Sequence, residues 1–397
     1  MRETCEVAVI GGGVIGCAVA HRLAAEGRRV TILDASGRLG SGATDAAMGG
    51  ILTQSESSCL GPLSTVIDLT RRLYPAWLAR LTDQSRVPVP VLTGGDIQVA
   101  LDDDEMTHLT DKVLPEWEAS PFAVVRLSRE DAKELEPLLS DAVRGGFLLP
   151  DELALDPHDL MAALAGALPA VGVGVRLGAR VMRVGSGPGG AEVELDDGTV
   201  ISAETVVVAA GHLSGVLLPR FRHFLYPVKG EALDARPPGA RTYPLRHHVY
   251  AELDGGLLTP YLVPRSDGRV ALGVTYEPGV DDLRPSAKGR DEVLRGAAAL
   301  MPSTTGWVVE KHWAGLRPGS GDKRPLIGYA DEHRRVVVAT GHSGLGVTLA
   351  PATAELVSVV MSGTTPDAET AERLAVCAPE RALQRDLAAA AAPSLRA

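Results

Sequence analysis

An apolar, β-branched run, Val7-Ala-Val-Ile10, leads without a break into Gly-Gly-Gly-Val-Ile-Gly16. A helical pattern on Ala18, Val19, Leu23 and Ala24 and a second apolar run, Arg29-Val-Thr-Ile-Leu-Asp34, follow. Strand, glycine turn, helix and strand in that order make a βαβ unit, which commits the start of the chain to a parallel sheet. Gly11, Gly13 and Gly16 carry the GxGxxG spacing. The first glycine permits the tight turn, the second lets backbone approach a pyrophosphate, and the third lets helix and strand pack closely. The helix N-terminus then faces the phosphates. Asp34 ends the second run about 20 residues after the first glycine, where a carboxylate accepts hydrogen bonds from a ribose and disfavours a 2′-phosphate.

A chain of 397 residues suits two or three domains. Its 39 basic and 50 acidic residues leave a net charge of -11, with no basic stripe, so nucleic acid is not an expected partner. The first residues pass from an acidic stretch straight into the cofactor strand, which predicts no signal peptide. No uninterrupted apolar run reaches the ~20 residues of a membrane span. Cys5, Cys17, Cys59 and Cys377 show no metal-binding spacing, so the expectation is free thiols, buried or on the surface, in a reducing cytoplasm, and no metal.

Further along, residues 60–85 have helical periodicity, and Val89 to Leu101 alternates like one strand around Gly94-Gly95. Ser128 to Pro137 reads as a short serine-capped helix, and Asp156 to Leu168 as another. Strands are predicted near Val173–Leu177, Val181–Val184 and Ala191–Leu195, with a hairpin turn over residues 185–190. Val206-Val-Val-Ala-Ala-Gly211 is an apolar strand ending in glycine, and Val336 to Pro351 reads as strand, glycine turn and helix.

Leu39-Gly-Ser-Gly-Ala-Thr-Asp-Ala-Ala-Met-Gly-Gly50 is too long a run of small residues for a simple turn, and it resembles the flavin-proximal loop of the glycine oxidase and D-amino acid oxidase family. Trp313-Ala-Gly-Leu-Arg-Pro-Gly319 resembles the substrate segment of glycine oxidases and of the flavoprotein subunit of bacterial hydrogen cyanide synthase. Tyr226-Pro-Val-Lys-Gly-Glu231 and Pro260-Tyr-Leu-Val-Pro-Arg265 match the family's substrate-domain strands. The resemblance implies an α/β, two-domain flavoprotein: a Rossmann-like FAD domain of the glutathione reductase type, and an α+β substrate domain with a mainly antiparallel sheet. The FAD domain is expected over 1–85, 152–222 and 312–397, and the substrate domain over 86–151 and 223–311.

The same resemblance places FAD against Gly11, Gly13, Val14, Ile15, Gly16 and Asp34, then against Ala43, Thr44, Asp45, Ala47, Gly49 and Gly50. Val181, Ala210 and Gly211 bring the chain back to the cofactor, and Gly341, His342, Gly344, Leu345, Gly346, Val347 and Thr348 close over the flavin, which Arg317 also borders. In the catalytic role, Arg317 clamps the substrate carboxylate, because a guanidinium fork fixes both position and rotation. Tyr261 assists, its hydroxyl being able to meet either carboxylate or amine. The implied reaction is oxidation of the C–N bond of glycine, an N-substituted glycine or a D-amino acid to an imine by hydride transfer to the flavin. Oxygen is the expected acceptor, giving hydrogen peroxide. The alternatives are the flavin subunit of a multi-protein dehydrogenase with another acceptor, and a non-catalytic flavin protein; a homo-oligomer or a partner subunit stays open.

Sarcosine oxidases of the wider family hold flavin through a cysteine near this motif; no thiol stands in Gly315–Pro318 and no histidine in residues 35–55, so noncovalent FAD is expected. Glycine oxidases carry a methionine where this chain has Gly50 and an arginine where it has Gly344, which predicts a roomier pocket. Residues 241–260 are longer than in the family. Lys229 is expected to serve a structural turn, and His247-His248 the surface or pocket rim rather than a metal. Ser343 and His342 lack the surroundings of a hydrolase nucleophile.

Overall fold

The computed structural model describes residues 2–56 and 59–383. Its eight-stranded sheet is built on the first βαβ unit: strand Arg2–Ile10 lies parallel to Val30–Asp34 on one side and to Val200–Val208 on the other. Gly174–Leu177 extends the parallel set beyond Val30–Asp34, and Val336–Thr340 adds to the second half of Val200–Val208. The first half of that strand instead receives the hairpin Val181–Gly187 and Gly190–Leu195. Leu326–Tyr329 runs antiparallel beside Val336–Thr340. Val7, Ala8, Val9 and Val206 to Val208 are fully buried, as central parallel strands covered on both faces must be.

Helices Val14–Ala25 and Gly346–Ser362 pack together on this sheet, with Ser64–Ser85 beside the second. Ser343–Ser362 is long and apolar enough to cross a membrane by composition, but 67% of its apolar window is buried inside the protein. It is the core helix of this layer. Burying each Val or Leu of such a face contributes roughly 1.5–3 kcal/mol.

The nine-stranded sheet contains Asp96–Ala100, Val125–Ser128, Gly145–Leu149, Leu225–Arg236, His248–Tyr250, Tyr261–Pro264, Val270–Gly273, Glu277–Pro278 and Val308–Ser320. All its pairings are antiparallel except His248–Tyr250 on Asp96–Ala100. A three-stranded sheet of Gly50–Ile51, Leu153–Leu155 and Val91–Leu92 lies near the cofactor loop. The mixed parallel sheet and mainly antiparallel sheet agree with the fold class expected from the sequence.

Several local expectations change in the structure. Val89 to Leu101 is not one strand, because Gly95 has φ +92° and the chain changes sheet there: Val91–Leu92 and Asp96–Ala100 belong to different sheets. Asp96–Ala100 is also buried on both faces and does not alternate. The hairpin turn over residues 185–190 shrinks to Pro188-Gly189, since Gly187 and Gly190 are paired. Residues 60–85 split into a 3-10 turn, Gly61–Leu63, and the helix Ser64–Ser85. The expected boundary between residues 311 and 312 falls inside the continuous strand Val308–Ser320, which pairs along almost the whole of Leu225–Arg236. Lys229 sits within that partner strand and not in a turn, with Nζ 3.0 Å from Glu231 Oε1.

The helices expected at Ser128 and Asp156 form as Arg129–Leu135, with a complete capping box, and Pro157–Ala167, capped by Asp156. All four cysteines are free, and burial pushes the Cys17 and Cys377 thiols up to about 12, which makes them inert packing groups.

Candidate active site

The glycine turn is shaped by close backbone approach. Gly11 has φ +105°, and a Cβ there would fall under 3.0 Å from Ala209 O; one on Gly16 would meet Gly11 O just as closely. Helix Val14–Ala25 therefore starts directly against the strand ends, with Gly13 as an N-cap that offers no side-chain bond. Thr44 Oγ1 accepts from Val14 N at 3.1 Å and so fastens the small-residue loop to this helix end. Asp34 accepts from Gly12 N at 2.6 Å and from Ser36 N at 2.8 Å, which fixes the carboxylate at the rim of the turn.

From here a cavity of about 1300 Å³ runs between the two large sheets. Its wall includes Gly11, Gly13, Val14, Ile15, Asp34, Ala43, Thr44, Ala47, Gly49, Gly50, Val181, Ala210, Gly211, His342, Gly344, Gly346 and Val347, and at its far end Tyr261 and Arg317. The volume exceeds the ~300–1,000 Å³ of most small-molecule pockets and suits a dinucleotide together with a small substrate. Glycines that admit no Cβ, a helix N-terminus and a ribose-level carboxylate on one wall are what FAD needs from a protein.

Five expected cofactor residues stand off the wall. Gly16 serves helix packing, and Leu345 lies in the core. Gly341 turns the chain at φ +80°. Thr348 Oγ1 accepts from Leu52 N at 3.1 Å. Asp45 turns its carboxylate to Arg38 at 2.8 Å and to His158 at 3.1 Å.

Arg317 is on strand Val308–Ser320, opposite Val228, and is only partly exposed, so it is no solvated loop arginine. Burial lowers its pKa, while the nearby Glu56 carboxylate and Tyr276 favour its charge. Its one hydrogen bond among the described residues is a long one, Nη1 to Thr275 O at 3.4 Å. A guanidinium with five donors, enclosed and so sparsely bonded, is suited to take a planar anion. Gly230, which carried no signal in the sequence beyond its motif, provides the space: a Cβ there would fall under 3.0 Å from three guanidinium atoms.

Tyr261 is 9% exposed, and its hydroxyl is 3.0 Å from His248 Nδ1. The room expected beside Gly50 is not empty. A Cβ there would lie under 3.0 Å from both Tyr261 Oη and Leu52 Cδ2, so the phenol fills that space. Beside Gly344 the nearest atom is Glu56 Oε2, 3.3 Å from a Cβ position. Met48, two residues before Gly50, lines the cavity and packs on Gly273.

His247 and His248 are not at a rim but buried, His247 Nδ1 2.9 Å from Glu136 Oε1 and His248 between Tyr261 and Asp96. His342 is buried too, bonded to Thr353 Oγ1 at 2.9 Å, and burial pushes its pKa to about 3. It is a neutral packing residue of the cavity wall and no partner of Ser343. Arg265, also missed, ties Leu155 O and Met48 O at 2.8 and 2.7 Å, holding the small-residue loop against the substrate sheet. Among the described residues no group of acids, histidines and cysteines has metal-site geometry.

A dinucleotide cradle on a parallel sheet, opening into a cavity whose other wall is an antiparallel sheet, defines a two-domain flavin-dependent oxidoreductase. Comparison with known proteins agrees. The model of the DAO family, described as FAD dependent oxidoreductase, matches residues 6–359, and the chain belongs to this family. The glycine oxidase of Geobacillus kaustophilus is 34% identical over 363 residues, covering 90% of this chain and 93% of that protein. The glycine oxidase of Bacillus licheniformis is 30% identical over 366 residues, 91% of this chain and 94% of its own. The crystal structure of the Geobacillus kaustophilus glycine oxidase superposes with a TM-score of 0.84 at 32% identity, over 92% of this chain and 96% of that one. FAD is the cofactor of this enzyme.

Proposed function

We propose that this protein oxidises the C–N bond of a small amino acid, with glycine, an N-substituted glycine or a D-amino acid as the substrate class. The observation that carries the reading is the half-buried guanidinium of Arg317, sparsely bonded among the described residues, in the same cavity as the dinucleotide cradle. The glycine oxidases that resemble this chain over about nine-tenths of its length support it.

Residues of the parallel sheet and its loops hold FAD: Gly11, Gly13, Val14 and Thr44 at the pyrophosphate, Asp34 at the ribose, and Gly49, Gly344 and Gly346 at the flavin end. Bound flavin supplies two-electron oxidation, taking up the hydrogen and electron pair that leave the α-carbon. Arg317 pairs with the carboxylate, which fixes the α-carbon in position and rotation. Tyr261 adds a hydrogen bond from the substrate sheet. The enclosing walls exclude water, so the guanidinium acts in a medium where its attraction is weakly screened. The amine reacts in its neutral form and the imine product hydrolyses on release, so no protein base is required and orientation carries much of the catalysis.

Oxygen is the acceptor in this reading, with hydrogen peroxide as product, and a cytoplasmic location suits the four free thiols. The test is an anaerobic screen of the yellow holoenzyme against glycine, sarcosine and the D-amino acids, followed by admission of air. Bleaching by at least one of them, reversed by air with peroxide formed, is the expected result. Bleaching that air does not reverse would move the acceptor to a partner subunit, and no bleaching by any amino acid would overturn the proposal.

A further inference from the structure

Tyr261 is held from two sides. Its hydroxyl oxygen stands 3.0 Å from His248 Nδ1, with the two rings edge to face. On the other side a Cβ at Gly50 would fall under 3.0 Å from the same oxygen, so only glycine leaves the hydroxyl its place. His248 lies on strand His248–Tyr250, between the strand that carries Tyr261 and the strand that carries Asp96, and is completely enclosed.

Burial keeps this imidazole neutral, pushing its pKa to about 3, so it has one N–H and one lone pair to place. Two oxygens surround Nδ1: Tyr261 Oη at 3.0 Å and Asp96 Oδ1 at 3.3 Å. Nε2 has no hydrogen-bond partner among the described residues. A proton on Nε2 would be a buried donor with no acceptor and would carry its full desolvation cost; on Nδ1 it reaches the phenol oxygen. The hydrogen of the hydroxyl is then turned away from His248. Had the proton been on Nε2, the hydroxyl would donate to Nδ1 and show the cavity its lone pairs, which suit an amine.

We propose that His248 is a positioning residue: its Nδ1–H donates to Tyr261, which turns the Tyr261 O–H into the cavity as a second donor, with Arg317, to the substrate carboxylate, while Gly50 supplies the space. The inference rests on the reading of Tyr261 and Arg317 as substrate contacts. What it adds is the role of His248 behind the tyrosine, and it explains why a glycine and a buried histidine accompany that side chain.

Acetate, a carboxylate without an amine, is the probe, and its binding to the holoenzyme is followed by the flavin absorbance. Tyr261→Phe and His248→Phe each weaken acetate about tenfold, the loss of one hydrogen bond to a charged group. The double variant is weaker than either single by no more than about twofold, because both changes remove the same bond. With the amino acid substrate, the apparent dissociation constant rises more than the limiting rate of flavin reduction falls. Gly50→Ala is a second route that leaves His248 intact: it weakens acetate in the wild-type background and by a smaller factor with Tyr261→Phe, where the hydroxyl is gone and only the contact with Leu52 remains. His248→Phe that multiplies the loss of Tyr261→Phe, or that binds acetate normally while Tyr261→Phe does not, overturns the inference alone. Tyr261→Phe that binds acetate like the wild type overturns the reading of Tyr261 beneath it.

Discussion

Arg317, opposite Val228 in the paired strands Leu225–Arg236 and Val308–Ser320, lays its guanidinium diagonally over Gly230, in the volume that a side chain at 230 would need. The cation at the end of the cavity is thus placed by a missing side chain on the neighbouring strand. Substitution at either position tests the arrangement.

Arg317→Ala leaves the bound carboxylate desolvated and unpaired, and truncating one member of such a pair costs about 2–5 kcal/mol. The expected loss in kcat/KM is about 30- to 4,000-fold. Arg317→Lys recovers part of it, since an ammonium keeps the charge and loses the planar fork. Gly230→Ala, which displaces the guanidinium without removing it, falls between wild type and Arg317→Ala. Flavin content stays near normal in all three. Steady-state kinetics on flavin-loaded protein checks this, and an alanine variant at 317 with kcat/KM within about threefold of wild type would remove the arginine from the site.

Noncovalent attachment of FAD is expected, because Gly315 to Pro318, beside the flavin end of the cavity, offer no thiol. Acid precipitation should leave the yellow colour in the supernatant. Flavin retained in the denatured pellet would contradict this. Gly11→Ala, forced against Ala209 O at a positive φ, should lower the flavin-to-protein ratio severalfold and depress the melting temperature.

His342 makes stability depend on pH in a definite direction. Its folded-state pKa is lowered to about 3 by burial, so on acidification the unfolded chain binds a proton from about pH 6.5 downward while the fold does not. Stability from this residue is complete above that range and lost as pH falls, by about 2 kcal/mol at pH 5. His342→Gln, which keeps a partner for Thr353, should therefore lose less stability between pH 7 and pH 5 than wild type. Equal losses in denaturant melts at the two pH values would refute the assignment.

Gly344 has ordinary backbone angles and the Glu56 carboxylate beside it, so an arginine is sterically admissible there. Gly344→Arg should fill the cavity near the substrate and cut kcat/KM for bulky amino acids about tenfold or more, while sparing glycine. In the wild type, glycine should not be the best substrate. A wild-type enzyme with its highest kcat/KM on glycine would be the decisive counter-result.

The cofactor half was readable in the sequence because its determinants are local. The spacing of Gly11, Gly13 and Gly16 is contained in a single turn, and the apolar runs at Val7 and Val206 announce buried parallel strands by composition alone. The motif around Arg317 could be recognised, but its place in the middle of a strand could not. A proline and a glycine beside it suggest a loop, and only pairing with residues 225–236, about 80 positions away, makes it a strand. The same holds for His247 and His248. A histidine pair in a polar stretch reads as surface, but it packs against Glu136, at the end of helix Arg129–Leu135, and Asp96, on strand Asp96–Ala100, both distant in sequence.

Gly50 shows the division most clearly. The sequence says that no side chain stands there, and that is a local fact about the chain. Whether the space becomes an open pocket or is taken up by another group depends on what the second sheet carries to that point. Tyr261 arrives from more than 200 residues away and fills it. Chain-local sterics determine backbone paths, turns and cofactor contacts, and they are encoded in short motifs. Pocket shape and the direction in which a hydroxyl points are sums over contacts between strands far apart in sequence, and only the tertiary structure decides them.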